Sequence, residues 1–224
     1  MALHRAADLA ALSGLSNLDD PVRRRLYESV IESDGPVSRE EAAAAASIGR
    51  TLAAYHLDKL AEAGLLTVSY QRPAGRSGPG AGRPAKLYAR ADQEITVSVP
   101  PRDYELLARL LVASVEQDPS GAVQQAVNSA AHEAGRRAGA ESRGSVAAAL
   151  RNCGYLPHAD DDGRILLRNC PFHLVAKDHR KVVCGLNLRL AQGVIAGCGD
   201  PRAHAELEPA PDRCCVVVHD AQPA

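Results

Sequence analysis

Apolar residues recur mostly with a helical rhythm along this chain, broken by a few short runs that alternate in strand fashion. Asp20-Pro21 supplies an N-cap and a first-turn proline for a helix through about Glu32, with Val22, Leu26, Val30 and Ile31 on one face. Asp34-Gly35-Pro36 stops it. Ser38 followed three residues on by Glu41 spells a capping box, and an alanine-rich helix should follow. Gly49 interrupts, and a second amphipathic segment begins near Arg50. Leu52, Leu57 and Leu60 are its apolar positions, and Arg50, Thr51, Ala54, Tyr55, His56 and Lys59 line the rest. Gly64 suits a C′ glycine, and Leu65-Leu66-Thr67-Val68 reads as a strand. Helix, glycine turn, helix is the grammar of a helix-turn-helix; the plainer alternative is an ordinary pair of packed helices.

The next segment favours the former. From Ser69 to Ala91 there is no acidic residue, but there are Arg72, Arg76, Arg83, Lys86 and Arg90 around a glycine- and proline-rich centre. Leu87-Tyr88-Ala89 resumes a strand-like run, so the pattern predicts two strands around a basic tip, a β-wing suited to phosphates or the minor groove. Gly82-Arg83-Pro84 resembles the core of an AT-hook. A linker ordered only by DNA is the alternative for this tip. On the winged reading, Arg50, Thr51, Tyr55 and His56 reach base edges of a double-stranded DNA operator, while Lys59, Arg72, Arg76, Arg83 and Lys86 contact phosphate or minor groove.

Beyond the wing, Ile95 to Val99 alternates as a short strand and Pro100-Pro101 ends it. Tyr104 to Val115 carries Leu106, Leu107, Leu110 and Leu111, a stripe that either packs on its own subunit or pairs with its twin in a homodimer. Gln117 to Glu141 continues helically, with Val123, Val127 and Ala130 in phase. The last third predicts a short helix over Ser145–Cys153, a loop over His158–Gly163, and a strand over Arg164–Arg168. A helix from about Asp178 to Gly197 follows, with Val182, Val183, Leu186, Leu190 and Ile195 buried, and then strands at Ala205–Glu208 and Arg213–Val218. The class is α+β: a winged helix-turn-helix domain over 18–91, a helical linker and dimerisation region over 92–143, and a small cysteine-rich α+β domain over 144–220.

Composition adds three constraints. The formal net charge of -1 argues neither for nor against DNA, because a basic wing can be offset elsewhere. No run reaches the ~18 apolar residues of a membrane span, and the N-terminus lacks a signal-peptide layout, so a cytoplasmic location without membrane partners is expected. With no tryptophan and one phenylalanine, the core must come from Leu, Val, Ile and Ala. All six cysteines, Cys153, Cys170, Cys184, Cys198, Cys214 and Cys215, lie in the last third with His173 and His179 among them. In a chain of this kind they point to a metal or redox centre rather than to a disulfide framework.

Helix geometry sorts these candidates. Two residues fourteen apart on one helix are ~21 Å apart at ~1.5 Å per residue, too far to share one site. Cys170 and Cys184 can therefore meet only if the chain turns between them, near Lys177-Asp178, and Cys198 should not reach the site of Cys184. On a strand, Cys214 and Cys215 would face opposite ways, with Cys214 the preferred ligand and Cys215, Cys198 and His173 standing behind it as alternatives.

Together, RTLAAYHLDKLAEAGLL, GRSGPGAGRPAKLY and NCPFHLVAKDHRKVVCGLN…CC resemble the ArsR-type winged-helix regulators that include the SufR-like iron–sulfur-responsive repressors, over about Asp19 to Val218. The resemblance implies a homodimeric regulator with an iron–sulfur cluster ([4Fe-4S] or [2Fe-2S]) in each C-terminal domain. It places cluster cysteines on Cys170, Cys184 and one of Cys214 or Cys215, and a further family cysteine near Cys198. Other readings are a zinc site or thiol switch in the same domain, and an apolar small-molecule pocket. An enzyme with Cys170 or Cys184 as nucleophile, assisted by His173 or His179, lacks an oxyanion loop or phosphate-binding glycine motif. A non-enzyme is expected.

Overall fold

Asp20 opens the first helix, its Oδ1 accepting from the backbone N–H groups of Val22 at 2.8 Å and Arg23 at 3.1 Å, with Pro21 at the first helical position. The computed structural model describes residues 11–33, 35–71, 84–92, 95–96, 102–142, 144–210 and 213–219. They fall into two units, Met1–Arg102 and Asp103–Ala224. In the first, α1 (Pro21–Ile31) leads to β1 (Val37–Ser38), α2 (Arg39–Ala45), α3 (Arg50–Glu62), β2 (Leu66–Gln71) and β3 (Ala85–Arg90). The Ser38–Glu41 capping box is present in both directions. Three antiparallel strands in the order β1-β3-β2 form the wing base, with Val37 opposite Tyr88 and Val68 opposite the same residue on the other side. Leu26, Val30, Ala53, Leu57, Leu60, Leu66 and Tyr88 fill the core between helices and sheet.

The turn between α2 and α3 differs from expectation. Its left-handed residue is Ser47, at φ 54, whereas Gly49 is an extended N-cap at φ -68. Ile48 N–H donates to Ala43 O and Ser47 N–H to Ala44 O, so α2 ends in a Schellman motif with serine where glycine is usual. Gly64 does end α3 in the predicted way, at φ 74 with Leu65 N–H reaching Leu60 O. Past β3, Ile95 and Thr96 are not in a strand, and the rest of the strand expected there (97–99) lies outside the described residues.

The second unit begins with α4 (Tyr104–Glu116), followed by α5 (Ala122–Glu141), α6 (Val146–Asn152), β4 (Pro157–Ala159), β5 (Ile165–Leu167), α7 (His173–Asp178), α8 (Arg180–Cys198), β6 (His204–Leu207) and β7 (Val216–His219). The strands form an antiparallel sheet in the order β4-β5-β7-β6. Leu150, Tyr155, Leu167, Ala191, Val194, Val216 and Val218 make its core against α6 and α8. Helix α5 starts at Ala122 rather than Gln117, because the Asp118 carboxylate accepts from the backbone N–H groups of Ser120 and Val123 and folds those residues into a turn.

Glycines, not the predicted valines, join α5 to α8. The buried positions of α5 are Gly135 and Gly139, and Val123 is exposed. A Cβ on Gly135 would lie 2.0 Å from Leu190 O, and one on Gly139 2.2 Å from Val194 O. Reciprocally, a Cβ on Gly193 would meet His132 O at 2.0 Å and one on Gly197 would meet Arg136 O at 2.1 Å. Contacts advance together along both helices, so they run in the same direction, backbone against backbone. Two glycines four apart on each helix remove the side chains that ordinarily keep helix axes 8–10 Å apart.

Because the clash is with backbone carbonyls, no rotamer change can relieve it. Gly193→Ala should destabilise the second unit by about 3 kcal/mol. Gly185→Ala, on the same helix with nothing within 4 Å of its Cβ, should be neutral or stabilising by up to about 1 kcal/mol. Denaturant unfolding followed by circular dichroism checks the pair; equal behaviour of both would mean that the seam tolerates side chains.

Candidate functional site

On α3 the inward positions are Ala53, His56, Leu57 and Leu60, spaced i, i+3, i+4, i+7. Two expectations are thereby corrected. His56 is only 8% exposed, so it faces the core and not a DNA groove, while Leu52 is 45% exposed and faces outward. Thr51, Leu52 and Tyr55 form the outer surface of the first turns, with Tyr55 58% exposed. Arg50, also exposed, reaches back to Glu40 at 2.7 Å. Lys59 is half-buried and pairs with Glu62 at 2.7 Å.

In the wing, Lys86 is already engaged. Its Nζ lies 2.5 Å from Asp58 Oδ1 and 5.3 Å from the centre of the Tyr88 ring, and Tyr88 Oη donates to the same carboxylate oxygen at 2.7 Å. Lys86, expected at phosphate, here ties β3 to α3. Arg72, Arg76 and Arg83 lie outside the described residues. Burial works against the Asp58 charge, but the hydrogen bonds from Lys86 and Tyr88 outweigh it and hold the carboxyl below its usual range. Burial first, and then the bond to Asp58, pushes the Tyr88 hydroxyl up.

In the second unit, four of the six cysteines converge. Cys184 and Cys215 bring their sulfurs to 3.2 Å. Cys170 and Cys214 lie close enough to influence one another's ionisation, and both face the Asn187 amide nitrogen. Asn187 lies between the pairs in sequence and beside Cys214 in space, its Nδ2 3.1 Å from Cys214 Sγ and 3.9 Å from Cys170 Sγ. The Tyr155 hydroxyl donates to Asn187 Oδ1. The turn that brings Cys170 near Cys184 is the break between α7 and α8 at His179, immediately after the expected Lys177-Asp178. Both Cys214 and Cys215 reach the site, which corrects the expectation that only one could. Strand β7 begins at Val216, so the two cysteines precede it and strand alternation does not govern them.

The remaining candidates stand elsewhere. Cys198 closes α8, its Sγ 3.6 Å from Gly139 O in the helix seam. Cys153 packs against the core, where burial raises its thiol. His173 is exposed at the start of α7, and His179 Nδ1 lies 2.9 Å from Glu116 Oε2. Leu186 and Leu190 of α8 are only half-buried; Cys184, Asn187, Ala191 and Val194 share its buried positions with Val182, Val183 and Ile195. Asn187 and Tyr155, each 1% exposed, are polar residues at the cysteine site that the sequence pattern did not single out. A polar residue one turn beyond Cys184 on an apolar face was the available signal.

The four thiols are electrostatically unequal. The neighbouring Cys170 thiol lowers Cys214 to about 7 against the opposing effect of burial, helped by the N–H of Val216, by Asn187 and by the N–H of Cys215. The same proximity, together with burial, pushes Cys170 up. Burial and the contact with Cys215 push Cys184 up to about 12. Cys214 is thus the position where negative charge is best supported. Among the described residues, the only three His, Cys, Asp or Glu donor atoms all within 4.8 Å of one another belong to Glu206, Glu208 and His219. No three cysteine sulfurs are gathered that tightly, whereas a single tetrahedral zinc would draw them to about 3.8 Å, given Zn–S bonds of about 2.3 Å. The Glu206–Glu208–His219 group serves the sheet edge: Glu208 pairs with His219 at 2.7 Å and Arg213 at 3.7 Å.

Comparison with known families bears on the first unit. A family model described as a helix-turn-helix domain matches residues 18–69, the span from just before α1 into β2. The chain carries a helix-turn-helix domain. With the β2–β3 sheet behind α3 it is a winged one, the architecture of a DNA-binding transcriptional regulator. No curated protein and no solved structure matches the chain. Among the described residues, no helix is long and apolar enough to cross a membrane.

Asp58→Asn should loosen β3 from α3 and cost about 1 kcal/mol at neutral pH, the modest figure reflecting partial exposure of the pair. Since Asp58 is held below its unfolded value, its contribution is complete above about pH 4 and is lost as pH falls through the folded value. The wild-type and Asp58→Asn stabilities should converge in acid, measured by urea unfolding across pH. A constant difference down to acid would exclude the charge as its source.

Proposed function

We propose that the protein is a homodimeric transcriptional repressor whose binding to a double-stranded operator is controlled by an iron–sulfur cluster, sensing iron–sulfur, redox or nitrosative status in the cytoplasm. The observation that carries this reading is the convergence of Cys170, Cys184, Cys214 and Cys215 around Asn187 in a chain whose other unit is a winged helix-turn-helix. The donor set fits such a group: four sulfurs, with amide and backbone N–H donors directed at Cys214. Cys170, Cys184 and Cys214 would be ligands, with Cys215 as the fourth thiol in place of His173 or Cys198. When bound, a cluster supplies iron that oxidants or nitric oxide can attack.

The protein's own residues suggest how the state of the thiols reaches DNA. Arg109 of α4 lies 2.5 Å from Asp178 and donates to Leu174 O at 3.3 Å, and Glu116 holds His179, so α4 is pinned to the break between Cys170 and Cys184. The opposite side of α4 presents Leu106, Leu107, Leu110 and Leu111, each 52–60% exposed. Pairing of this stripe with its twin would bury four leucines per subunit and set two half-site readers at a fixed spacing. On each reader, Arg50, Thr51 and Tyr55, joined by Leu52, would face the major groove; Lys59, Arg72, Arg76 and Arg83 would meet phosphates.

A thiol switch is the second reading, favoured by the 3.2 Å contact of Cys184 with Cys215. One preparation separates the two. Protein purified without oxygen should show broad visible absorbance with matching iron and acid-labile sulfide, and operator affinity should differ between the loaded and stripped forms. A colourless, iron-free protein whose DNA binding follows thiol oxidation alone would replace the cluster with the switch.

For the dimer, Leu107→Glu with Leu110→Glu should halve the mass seen in sedimentation equilibrium while leaving helix content unchanged. An unaltered dimer would place the interface elsewhere.

A further inference from the structure

Asn187 is an expensive residue to keep where it stands. It is 1% exposed on the apolar side of α8, with Val183, Cys184, Ala191 and Val194 as its buried companions on that helix. A leucine would fill the same space without the cost of desolvating an amide. Its hydrogen bonding is fully assigned: the carbonyl oxygen accepts from the Tyr155 hydroxyl, and the amide nitrogen faces Cys214 Sγ at 3.1 Å and Cys170 Sγ at 3.9 Å. Tyr155 is itself 1% exposed and, through its hydroxyl, fixes which end of the amide meets the sulfurs. Sulfur of a neutral thiol is a weak acceptor, so two N–H groups directed at two sulfurs are well used only when those sulfurs carry negative charge, as metal-bound thiolates do.

We infer that Asn187, locked by Tyr155, is the positioning residue of the cysteine site: it donates N–H···S hydrogen bonds to Cys214 and Cys170 and thereby sets the potential and retention of the group those cysteines hold. The inference rests on the proposed cluster for the potential, but not for the hydrogen bonds themselves. Donors to the ligating sulfurs stabilise the more negative, reduced state, so their presence raises the reduction potential and their removal lowers it. They also favour the ligated thiolate over the free thiol, so their removal weakens any thiolate-bound metal.

The test uses the full-length protein with Asn187→Leu, which keeps shape and deletes both donors, and with Tyr155→Phe, which keeps the ring and frees the amide. In anaerobically loaded protein, the midpoint potential should fall in Asn187→Leu and fall less in Tyr155→Phe, with faster loss of visible absorbance on exposure to a chelator. In iron-free, reduced protein, Co²⁺ followed by its thiolate charge-transfer band should bind about tenfold more weakly to Asn187→Leu than to wild type. Wild-type potential together with wild-type Co²⁺ affinity in both variants would overturn the inference and leave Asn187 a packing residue. Wild-type protein without iron or sulfide would remove the cluster, and the Co²⁺ affinities would then decide the role of Asn187 alone. If Asn187→Leu fails to fold, Tyr155→Phe carries the same two measurements, and no change in either would be equally decisive.

Discussion

The second unit depends on the close approach of α5 and α8. Gly135 and Gly139 lie on carbonyls of α8, and Gly193 and Gly197 lie on carbonyls of α5, so each helix replaces the side chains the other would need. Such a seam has no adjustable parts: there is no rotamer to change and no cavity into which it can relax. Its consequence is rotational. With Gly193 and Gly197 facing α5, the remaining face of α8 is committed to the sheet, and Ala191 and Val194 pack there with Val216 and Val218. Asn187 and Cys184, one and two turns before Ala191 on that helix, are thereby aimed at the residues just before β7, which are Cys214 and Cys215. The geometry of the cysteine site is set about ten residues away, by glycines outside the site itself.

In the first unit, position is set by helix ends instead. The Asp20 cap, the Ser38–Glu41 box and the Schellman turns at Ser47 and Gly64 fix where each helix starts and stops. The α3 phase then follows from its core residues, and Asp58 ties the helix to β3 through Lys86 and Tyr88. These are local interactions of order 1 kcal/mol each, and they act together in placing the outer surface of Thr51, Leu52 and Tyr55.

This difference explains what could be read from the chain. The caps were legible, because a capping box or an Asp-Pro start is written within four residues. The face of α3 was misread by one position: taking Leu52 as inward, because it is a leucine, turns the helix by about 100° and moves His56 outward. Ala53 makes the inward row continuous, but alanine carries little weight in a hydrophobic pattern. The seam was missed for a related reason. Gly135, Gly139, Gly193 and Gly197 were passed over, and only their repetition at four-residue spacing on two separate helices distinguishes close packing. Cys215 stood behind Cys214 because the strand was expected to begin at Arg213, whereas it begins at Val216. Cys198 was correctly separated from Cys184, since helix rise alone decides that distance. The convergence of Cys170, Cys184, Cys214 and Cys215 requires the full sheet topology, which no spacing rule contains.

Helix α4 packs on the α7–α8 break within the second unit, and magnitudes limit what it can transmit. Its hold on the α7–α8 break consists of Arg109–Asp178, with Asp178 60% exposed, and of His179–Glu116. Exposed pairs of this kind are worth about 0–1 kcal/mol each. If the state of the thiols made or broke both, the bias on α4 would be at most about 2 kcal/mol per subunit, within the range of ordinary allosteric couplings. A lone subunit would then shift its equilibrium by at most about 30-fold. Two subunits moving as one through a shared leucine stripe would double the free energy and multiply the ratios. A pairing of α4 with its twin would thus do more than cover Leu106, Leu107, Leu110 and Leu111: it would multiply a bias that the ties within each subunit keep small.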